Sequence, residues 1–256
     1  MPELPYSLDR TVVISAKPET VFRFFTDSTR WASWWGAGST IDAKPGGKVY
    51  IRHTNGVESS GEVLEVNHPE RIVFTYGFVS GKPIPPGSSR VTIRLEPDDG
   101  GTRLHLVHEF AEASTRDEHV QGWRFQLSLF SNVVANEVYA DAATAVDAWF
   151  GAWTIADEKS RKETLAKIVS PEIRFRDRFS LLDGFDDLTA HMGAAQRFMP
   201  GIVLRRKGDV RHCQGTVLAD WIAADSDGKE RMSGTNVFVF GPDGRIDSVT
   251  GFSNPA

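Results

Sequence analysis

Cysteine is almost missing from this chain of 256 residues, because Cys213 is the only one. An intrachain disulfide is therefore impossible, and a zinc site built from several thiolates is excluded as well. Long apolar runs are also missing, since none approaches the roughly 18 residues of a membrane-spanning helix. The start of the chain, MPELPYSLDR, has neither the basic region nor the apolar region of a signal peptide. These absences predict a soluble, cytoplasmic protein with no membrane partner.

An excess of positive charge is the next absence. The formal net charge is −5, and it divides into −3 for residues 1–138 and −2 for residues 139–256. A protein that binds the phosphate backbone of DNA or RNA needs a basic surface. Neither half has the lysine and arginine for one, so the sequence predicts no nucleic-acid partner.

The length and one long helical stretch predict two domains. A chain of 256 residues exceeds the roughly 100–150 residues that one hydrophobic core usually organises. Residues 115–157 contain no proline, and apolar side chains such as Val120, Trp123 and Leu127 recur there at steps of three and four. This stretch is either one helix or two abutting helices, the second capped by Asp141. We place the domain boundary near residue 138, giving domains 1–138 and 139–256.

The first half alternates apolar and polar residues in the manner of an antiparallel sheet. A strand over residues 10–15 is followed by a helix that Pro18 begins. Further strands are predicted over residues 48–54, 61–67, 71–78, 90–96 and 102–110. Strands with one apolar face need a cover, which the helix carrying Trp123 can supply. We expect a curved antiparallel sheet wrapped around a long helix.

Three motifs in this half carry a family resemblance. They are GEVLEVNHPERIVFTY (61–76), GTRLHLVHEF (101–110) and HVQGWRFQLSLF (119–130). In this order they resemble the SRPBCC, or START-like, superfamily, in the branch named for the activator of heat shock protein ninety ATPase. The resemblance implies a helix-grip fold that binds apolar molecules between the sheet and its C-terminal helix. Chaperone-activating members also use an N-terminal segment rich in Trp and Asn, and residues 1–10 contain nothing similar.

Strand alternation selects the side chains that face the expected cavity. The predicted ligand-binding residues of this half are Trp34, Trp35, His53, Tyr76, Phe78, His108 and Trp123. An aromatic wall with a few polar atoms is the usual form of a small-molecule site, although inward aromatic residues also form plain cores. The two histidines could equally be neutral and hydrogen-bonded. No third metal ligand accompanies them, and His105 lies on the opposite face, so we predict no metal and no cofactor.

The second half has a different order of elements. Helices are predicted over residues 158–169 and 187–199, and strands over residues 172–179, 215–224, 230–240 and 245–252. The final motif, NVFVFGPDGRIDSVTGFSN (236–254), resembles the SnoaL-like branch of the nuclear transport factor two superfamily. That resemblance implies a cone-shaped α+β barrel with an apolar pocket, and a sheet whose open face is commonly a dimer interface. The fold class predicted for the whole chain is therefore α+β.

Four residues are candidates for a pocket in this second half. Alternation places Asp177 beside Phe175 on the apolar face of its strand, and helical spacing places His191 on a buried face. Trp221 and Asn236 face the same pocket. A carboxylate isolated on an apolar face is suited to proton transfer next to a carbonyl group, which makes Asp177 and His191 the candidate catalytic pair. Alternatively, Asp177 is a hydrogen-bonded structural residue or lies exposed beyond a bulge.

The sequence leaves three functions open. The first is a binding protein that holds a hydrophobic small molecule in one or both pockets. The second is an enzyme of the polyketide cyclase or isomerase kind that uses Asp177 and His191, an argument by fold analogy. The third is a role in protein interaction, either chaperone ATPase activation or a homodimer formed through the sheet of the second domain.

Overall fold

The computed structural model describes residues 3–254, which form two compact units. One unit extends up to Ala135 and the other begins at Asn136. Each contains one sheet and several helices, which confirms the predicted α+β class. The boundary near residue 138 stays a prediction. None of the helices in the described part of the chain combines the length and the apolar composition that a bilayer crossing requires.

The first unit is built on a seven-stranded sheet. Its elements are β1 (Tyr6–Ile14), α1 (Pro18–Arg23), α2 (Ser28–Trp35), β2 (Thr40–Ile41), β3 (Lys48–Arg52), β4 (Glu58–Asn67), β5 (Arg71–Tyr76), β6 (Ser89–Asp98), β7 (Gly101–Phe110) and α3 (Ala113–Val138). The strand order is β1-β7-β6-β5-β4-β3-β2. Every neighbouring pair is antiparallel.

Local sequence explains how the aromatic residues of this unit reach its interior. The Asp27 carboxylate caps α2 by accepting a hydrogen bond from the Arg30 backbone amide at 2.8 Å. This helix buries the indoles of Trp31, Trp34 and Trp35. Only glycine fits at position 61, because an added Cβ would lie 1.7 Å from the carbonyl oxygen of Thr75. The absence of a side chain at this position therefore allows the backbones of β4 and β5 to approach closely.

The second unit combines three helices with a six-stranded sheet. Its elements are α4 (Ala142–Ala152), α5 (Glu158–Ile168), β8 (Val169–Arg176), β9 (Leu181–Asp183), α6 (Phe185–Phe198), β10 (Val203–Cys213), β11 (Thr216–Ala224), β12 (Glu230–Phe240) and β13 (Ile246–Ser253). The order is β10-β11-β12-β13-β8-β9, in which β13 and β8 run parallel. Since α3 ends at Val138 and α4 begins at Ala142, residues 115–157 form two helices rather than one.

Two expectations for the second unit are wrong. The strand predicted over residues 172–179 ends at Arg176, where the chain turns so that β9 can pair with β8. Alternation therefore stops before Asp177, and the side chain of Phe179 is 80% exposed. Asp177, which alternation placed beside Phe175 on the apolar face, is instead half-buried in that turn.

Candidate functional site

A cavity of about 460 Å³ lies in the first unit. Eight of its lining residues come from the end of α2, from the segment after β3, or from β5 and the segment that follows it. The full lining is Trp35, His53, Thr54, Asn55, Val57, Tyr76, Phe78, Pro83, Glu118, His119, Gly122, Trp123, Phe125, Gln126 and Leu129. Aromatic and aliphatic side chains dominate this wall, as in most small-molecule sites.

One face of α3 forms a side of the cavity. His119, Trp123 and Gln126 follow one another at steps of four and three, which places them on the same side of the helix. Gly122 lies between them, and a Cβ added there would meet no atom within 4 Å. The missing side chain therefore leaves room where the helix borders the cavity.

A hydrogen-bonded group of three side chains lies at the wall, in which His53 and Tyr76 line the cavity and the fully buried Ser59 contacts both. The Ser59 hydroxyl donates to Tyr76 Oη at 3.0 Å and lies 3.1 Å from His53 Nε2. Burial raises the pKa of Tyr76 to about 12, so its hydroxyl stays protonated at neutral pH. Burial lowers the pKa of His53, so the imidazole is neutral. The group therefore offers uncharged hydrogen-bonding atoms to a ligand.

His108 lies behind this wall, and both of its ring nitrogens are hydrogen-bonded to other residues of the protein. Its Nδ1 accepts from the indole of Trp123 at 2.9 Å, and its Nε2 lies 2.8 Å from Ser89 Oγ. Since Nδ1 accepts, Nε2 carries the proton and donates to Ser89. Burial, with a smaller contribution from His119, holds the pKa of His108 well below its ordinary value. The neutral imidazole therefore orients Trp123 rather than contacting a ligand.

His119 is a cavity residue whose tautomer is fixed by the helix. Its Nδ1 lies 2.7 Å from the carbonyl oxygen of Thr115, which can only accept, so Nδ1 carries the proton. Burial lowers the pKa of this imidazole and keeps it neutral. Its Nε2 and the Trp35 Nε1 are shielded from water and have no hydrogen-bond partner in the described part of the chain. Glu118 is the one lining residue that carries a charge at neutral pH.

The structure brings together most of the ligand-binding residues predicted for the first half. Trp35, His53, Tyr76, Phe78 and Trp123 line the cavity. Two others lie behind its wall and outside its lining, and their role in binding stays a prediction. Trp34 donates its indole hydrogen to the Phe24 carbonyl at 3.3 Å and packs on Phe130. His108 is fully buried, as described above.

Sequence analysis missed several residues of this site, among them Ser59, His119 and Gln126. Ser59 precedes the predicted start of its strand, which the structure extends back to Glu58. His119 and Gln126 flank the apolar stripe that marks the core face of α3. Their spacing around Trp123 was a usable signal, because residues at steps of three and four share a helix face.

The second unit has a groove of about 940 Å³ at one end of its sheet. Asp177 lines this groove together with charged neighbours that include Arg176, Arg178 and Arg231. Its Oδ1 accepts from the backbone amide of Phe179 at 2.8 Å. This is the structural alternative described for Asp177, an acceptor that fixes a turn.

The predicted pair of Asp177 and His191 does not form. Among residues 3–254 these two side chains share no hydrogen bond, and His191 Nε2 instead lies 3.1 Å from Ser180 Oγ. The expectation fails because it extended strand alternation into the turn. Trp221 and Asn236 face inward as predicted, but they are only 9% and 6% exposed and do not line the groove.

Within the described residues, no group of three or more His, Cys, Asp or Glu side chains could hold a metal ion. The candidate site of the first unit consists of aromatic surface, neutral polar atoms and the carboxylate of Glu118.

Comparison with known proteins places these features in context. Residues 15–135 match the family model described as Activator of Hsp90 ATPase homolog 1-like protein. The match confirms the resemblance predicted for the N-terminal half from its three motifs. It covers the strands β2 to β7 and most of α3, and therefore the whole cavity lining, whereas β1 lies before it. The search of curated proteins gave no match.

Several solved structures are similar to parts of the chain. A SnoaL-like family protein from Agrobacterium tumefaciens is 24% identical and has a TM-score of 0.43, over 44% of this chain and 97% of its own. A Chromobacterium violaceum protein is 28% identical with a TM-score of 0.42, over 50% and 96% of the two chains. The Aha1 dimer protein from Colwellia psychrerythraea is 17% identical with a TM-score of 0.42, over 48% and 92%.

Proposed function

We propose that the first unit binds a neutral, largely apolar small molecule. The observation that carries this proposal is the cavity of about 460 Å³ with its aromatic wall. Ligand sites in proteins commonly have volumes of roughly 300–1,000 Å³ and combine apolar surface with a few polar groups. Binding removes the aromatic surface of Trp35, Phe78 and Trp123 from water, which is the main source of affinity.

The electrostatics of the wall favour an uncharged ligand. A buried charge is costly unless the protein supplies a partner of opposite sign. The lining contains no lysine or arginine, so an anion finds no cation there. Its histidines have lowered pKa values because of burial, and they are neutral at physiological pH. Glu118 is the only lining group that repels anions and attracts cations.

Blocking the cavity tests this proposal. N-phenyl-1-naphthylamine is a neutral apolar probe whose fluorescence rises when it leaves water, and we expect the wild-type chain to bind it. The Gly122→Phe variant places a ring where an added Cβ has no neighbour within 4 Å, so binding should fall at least tenfold. The control is Gly151→Phe in α4, another open helical glycine. Equal binding by the two variants would refute the proposed site.

Two other functions have different support. Chaperone ATPase activation is suggested by the name of the matching family, and adding the chain to a heat shock protein ninety ATPase assay tests it. The hypothesis of an isomerase or cyclase activity has less support, since its two predicted catalytic residues, Asp177 and His191, do not pair. The cytoplasmic location stays a prediction.

A homodimer through the sheet of the second unit also stays a prediction, with one observation in its favour. Strand register puts Val203, Val239 and Phe252 on the sheet face opposite Asn236, and they are 46%, 40% and 57% exposed. Exposed apolar side chains on one face favour association. Sedimentation of the wild type and of Val239→Glu at several concentrations is the test, and a wild-type monomer throughout would exclude the dimer.

A further inference from the structure

The hydroxyl of Tyr76 is one of the polar groups of the cavity wall. Tyr76 ends β5 and lines the cavity, where its ring packs edge-on against Phe78 and His108. A hydroxyl has one proton to donate and two lone pairs with which to accept. The partners of Tyr76 Oη therefore determine whether its proton is available to a ligand.

The hydrogen bond from Ser59 to Tyr76 sets the direction of donation in this group. Ser59 Oγ donates its only proton to Tyr76 Oη. His53 Nε2, which is 3.1 Å from Ser59 Oγ, must then be the donor in that contact. The chain of donation therefore runs from the His53 imidazole through Ser59 to Tyr76.

This direction leaves the Tyr76 proton without an acceptor in the protein. The one other polar contact of Tyr76 Oη is His53 Nε2 at 3.5 Å, and that nitrogen already carries a proton. In the described part of the chain, no further acceptor contacts this hydroxyl. A protonated hydroxyl that borders a cavity and lacks an acceptor is a donor for the molecule inside it.

We infer that the ligand of the first unit carries a carbonyl-type oxygen, which accepts a hydrogen bond from Tyr76 Oη. Ser59 and His53 are positioning residues, because they orient this hydroxyl without contacting the oxygen. A neutral ketone, aldehyde, ester or amide on an apolar skeleton meets the requirements of the wall. A carboxylate does not, because no cationic side chain lines the cavity. This inference rests on the proposed binding function and adds the chemical class of the ligand.

Two matched probes test the inference. 2-Acetylnaphthalene and 2-ethylnaphthalene share a ring system and a similar size, but only the first has a carbonyl group. The quantity to measure by titration calorimetry is the ratio of their dissociation constants, compared between wild type and Tyr76→Phe. Comparing ratios cancels the different hydration of the two probes. We expect Tyr76→Phe to weaken the ketone relative to the hydrocarbon roughly three- to tenfold, the value of one neutral hydrogen bond.

The control removes a different phenol from the same unit. Tyr50 donates to Glu58 Oε1 at 2.6 Å and does not line the cavity, so Tyr50→Phe should leave the ratio unchanged. Ser59→Ala should lower the ketone preference by a smaller factor than Tyr76→Phe. An unchanged ratio in Tyr76→Phe, with both probes bound, would overturn the inference and leave the proposed function standing. Failure of wild type to bind 2-ethylnaphthalene would overturn both.

A measurement on the wild type covers the case in which Tyr76→Phe does not fold. The infrared stretch of a carbonyl moves to lower wavenumber when the oxygen accepts a hydrogen bond. We expect bound 2-acetylnaphthalene to absorb near its value in an alcohol. Absorption at its value in an alkane would contradict the hydrogen bond from Tyr76.

Discussion

The two units use inward-facing aromatic residues in different ways. In the first unit, the rings of Trp35, Phe78 and Trp123 surround a cavity. In the second unit, the fully buried Phe238 lies between Trp149 and Phe150, with ring centres 6.0 Å away in both cases. The groove of the second unit lies elsewhere and is rich in charged side chains. An aromatic pattern therefore predicts burial in both units, but it does not distinguish a cavity wall from a packed core.

The helical glycines differ in whether a neighbouring side chain fills the space beside them, and Gly151 of α4 is open like Gly122. Gly122 leaves an opening beside Trp123, with no atom within 4 Å of an added Cβ. In α6, the space beside Gly193 is already occupied, since an added Cβ would lie 2.7 Å from the guanidinium of Arg161. A missing side chain makes room only where no neighbour extends into its place.

Removing one phenylalanine from each interior tests the comparison most strongly. Phe238→Ala should lower the free energy of unfolding by about 3–5 kcal/mol, because it leaves a hole in a packed core. Phe78→Ala should cost less than half as much, because Phe78 is half-buried and already borders empty space. Urea denaturation of both variants gives the two values. Equal losses would mean that the interiors are packed alike.

Lowering the pH should reduce the free energy of unfolding through protonation of His108. Burial holds the pKa of His108 well below its ordinary value of 6.5. Below that pH the imidazole is therefore protonated more readily in the unfolded chain than in the folded chain. Both states are neutral at this position above pH 6.5, and the free energy of unfolding then falls by up to about 1.4 kcal/mol per pH unit as the pH drops further. His108→Gln should remove this slope between pH 6.5 and 5.5. Parallel pH profiles for the variant and the wild type would contradict the prediction.

Replacing the two helical glycines by alanine should give a smaller difference. Gly122→Ala should raise the free energy of unfolding by about 0.5–1 kcal/mol, because alanine favours helix and the new methyl group meets no neighbour. Gly193→Ala should raise the free energy of unfolding by less, since its methyl group would lie too close to Arg161, which is 4% exposed. Thermal or urea unfolding measures both. A larger gain at Gly193 would refute the assignment of open space to α3.

The smallest effect is expected at Asp177. Asn keeps the oxygen that accepts from the Phe179 amide, so Asp177→Asn should change the free energy of unfolding by less than about 0.5 kcal/mol. The imidazole NMR signals of His191 should move in Ser180→Ala, which removes its hydrogen-bond partner, and stay in place in Asp177→Asn. The reverse result would restore the predicted pair of Asp177 and His191.

Much of the fold could be predicted because most strands alternate clearly. The strand predicted over residues 102–110 occupies Gly101–Phe110 in the structure. The strand β10 was not predicted, because it is an edge strand whose residues are exposed or half-buried along its whole length. Its sequence, VLRRKGDVRHC, therefore lacks the apolar face that marks a strand packed on a core.

The site could be predicted only in part, for a similar reason. Alternation identified Tyr76 because it lies within a regular strand, β5. The same rule failed at Asp177, where the strand had already ended. No sequence rule could show that Trp34 packs behind the wall while its neighbour Trp35 borders the cavity, because that difference depends on residues brought in by α3.

One NMR titration tests the central claim, that the first unit holds a binding cavity and the second a packed interior. Each tryptophan gives one indole N–H signal, which a ring bound nearby will shift. On addition of 2-ethylnaphthalene, we expect the signals of Trp35 and Trp123 to move and those of Trp149 and Trp221 to stay in place. Movement of the Trp149 and Trp221 signals with Trp35 and Trp123 unaffected would contradict the account.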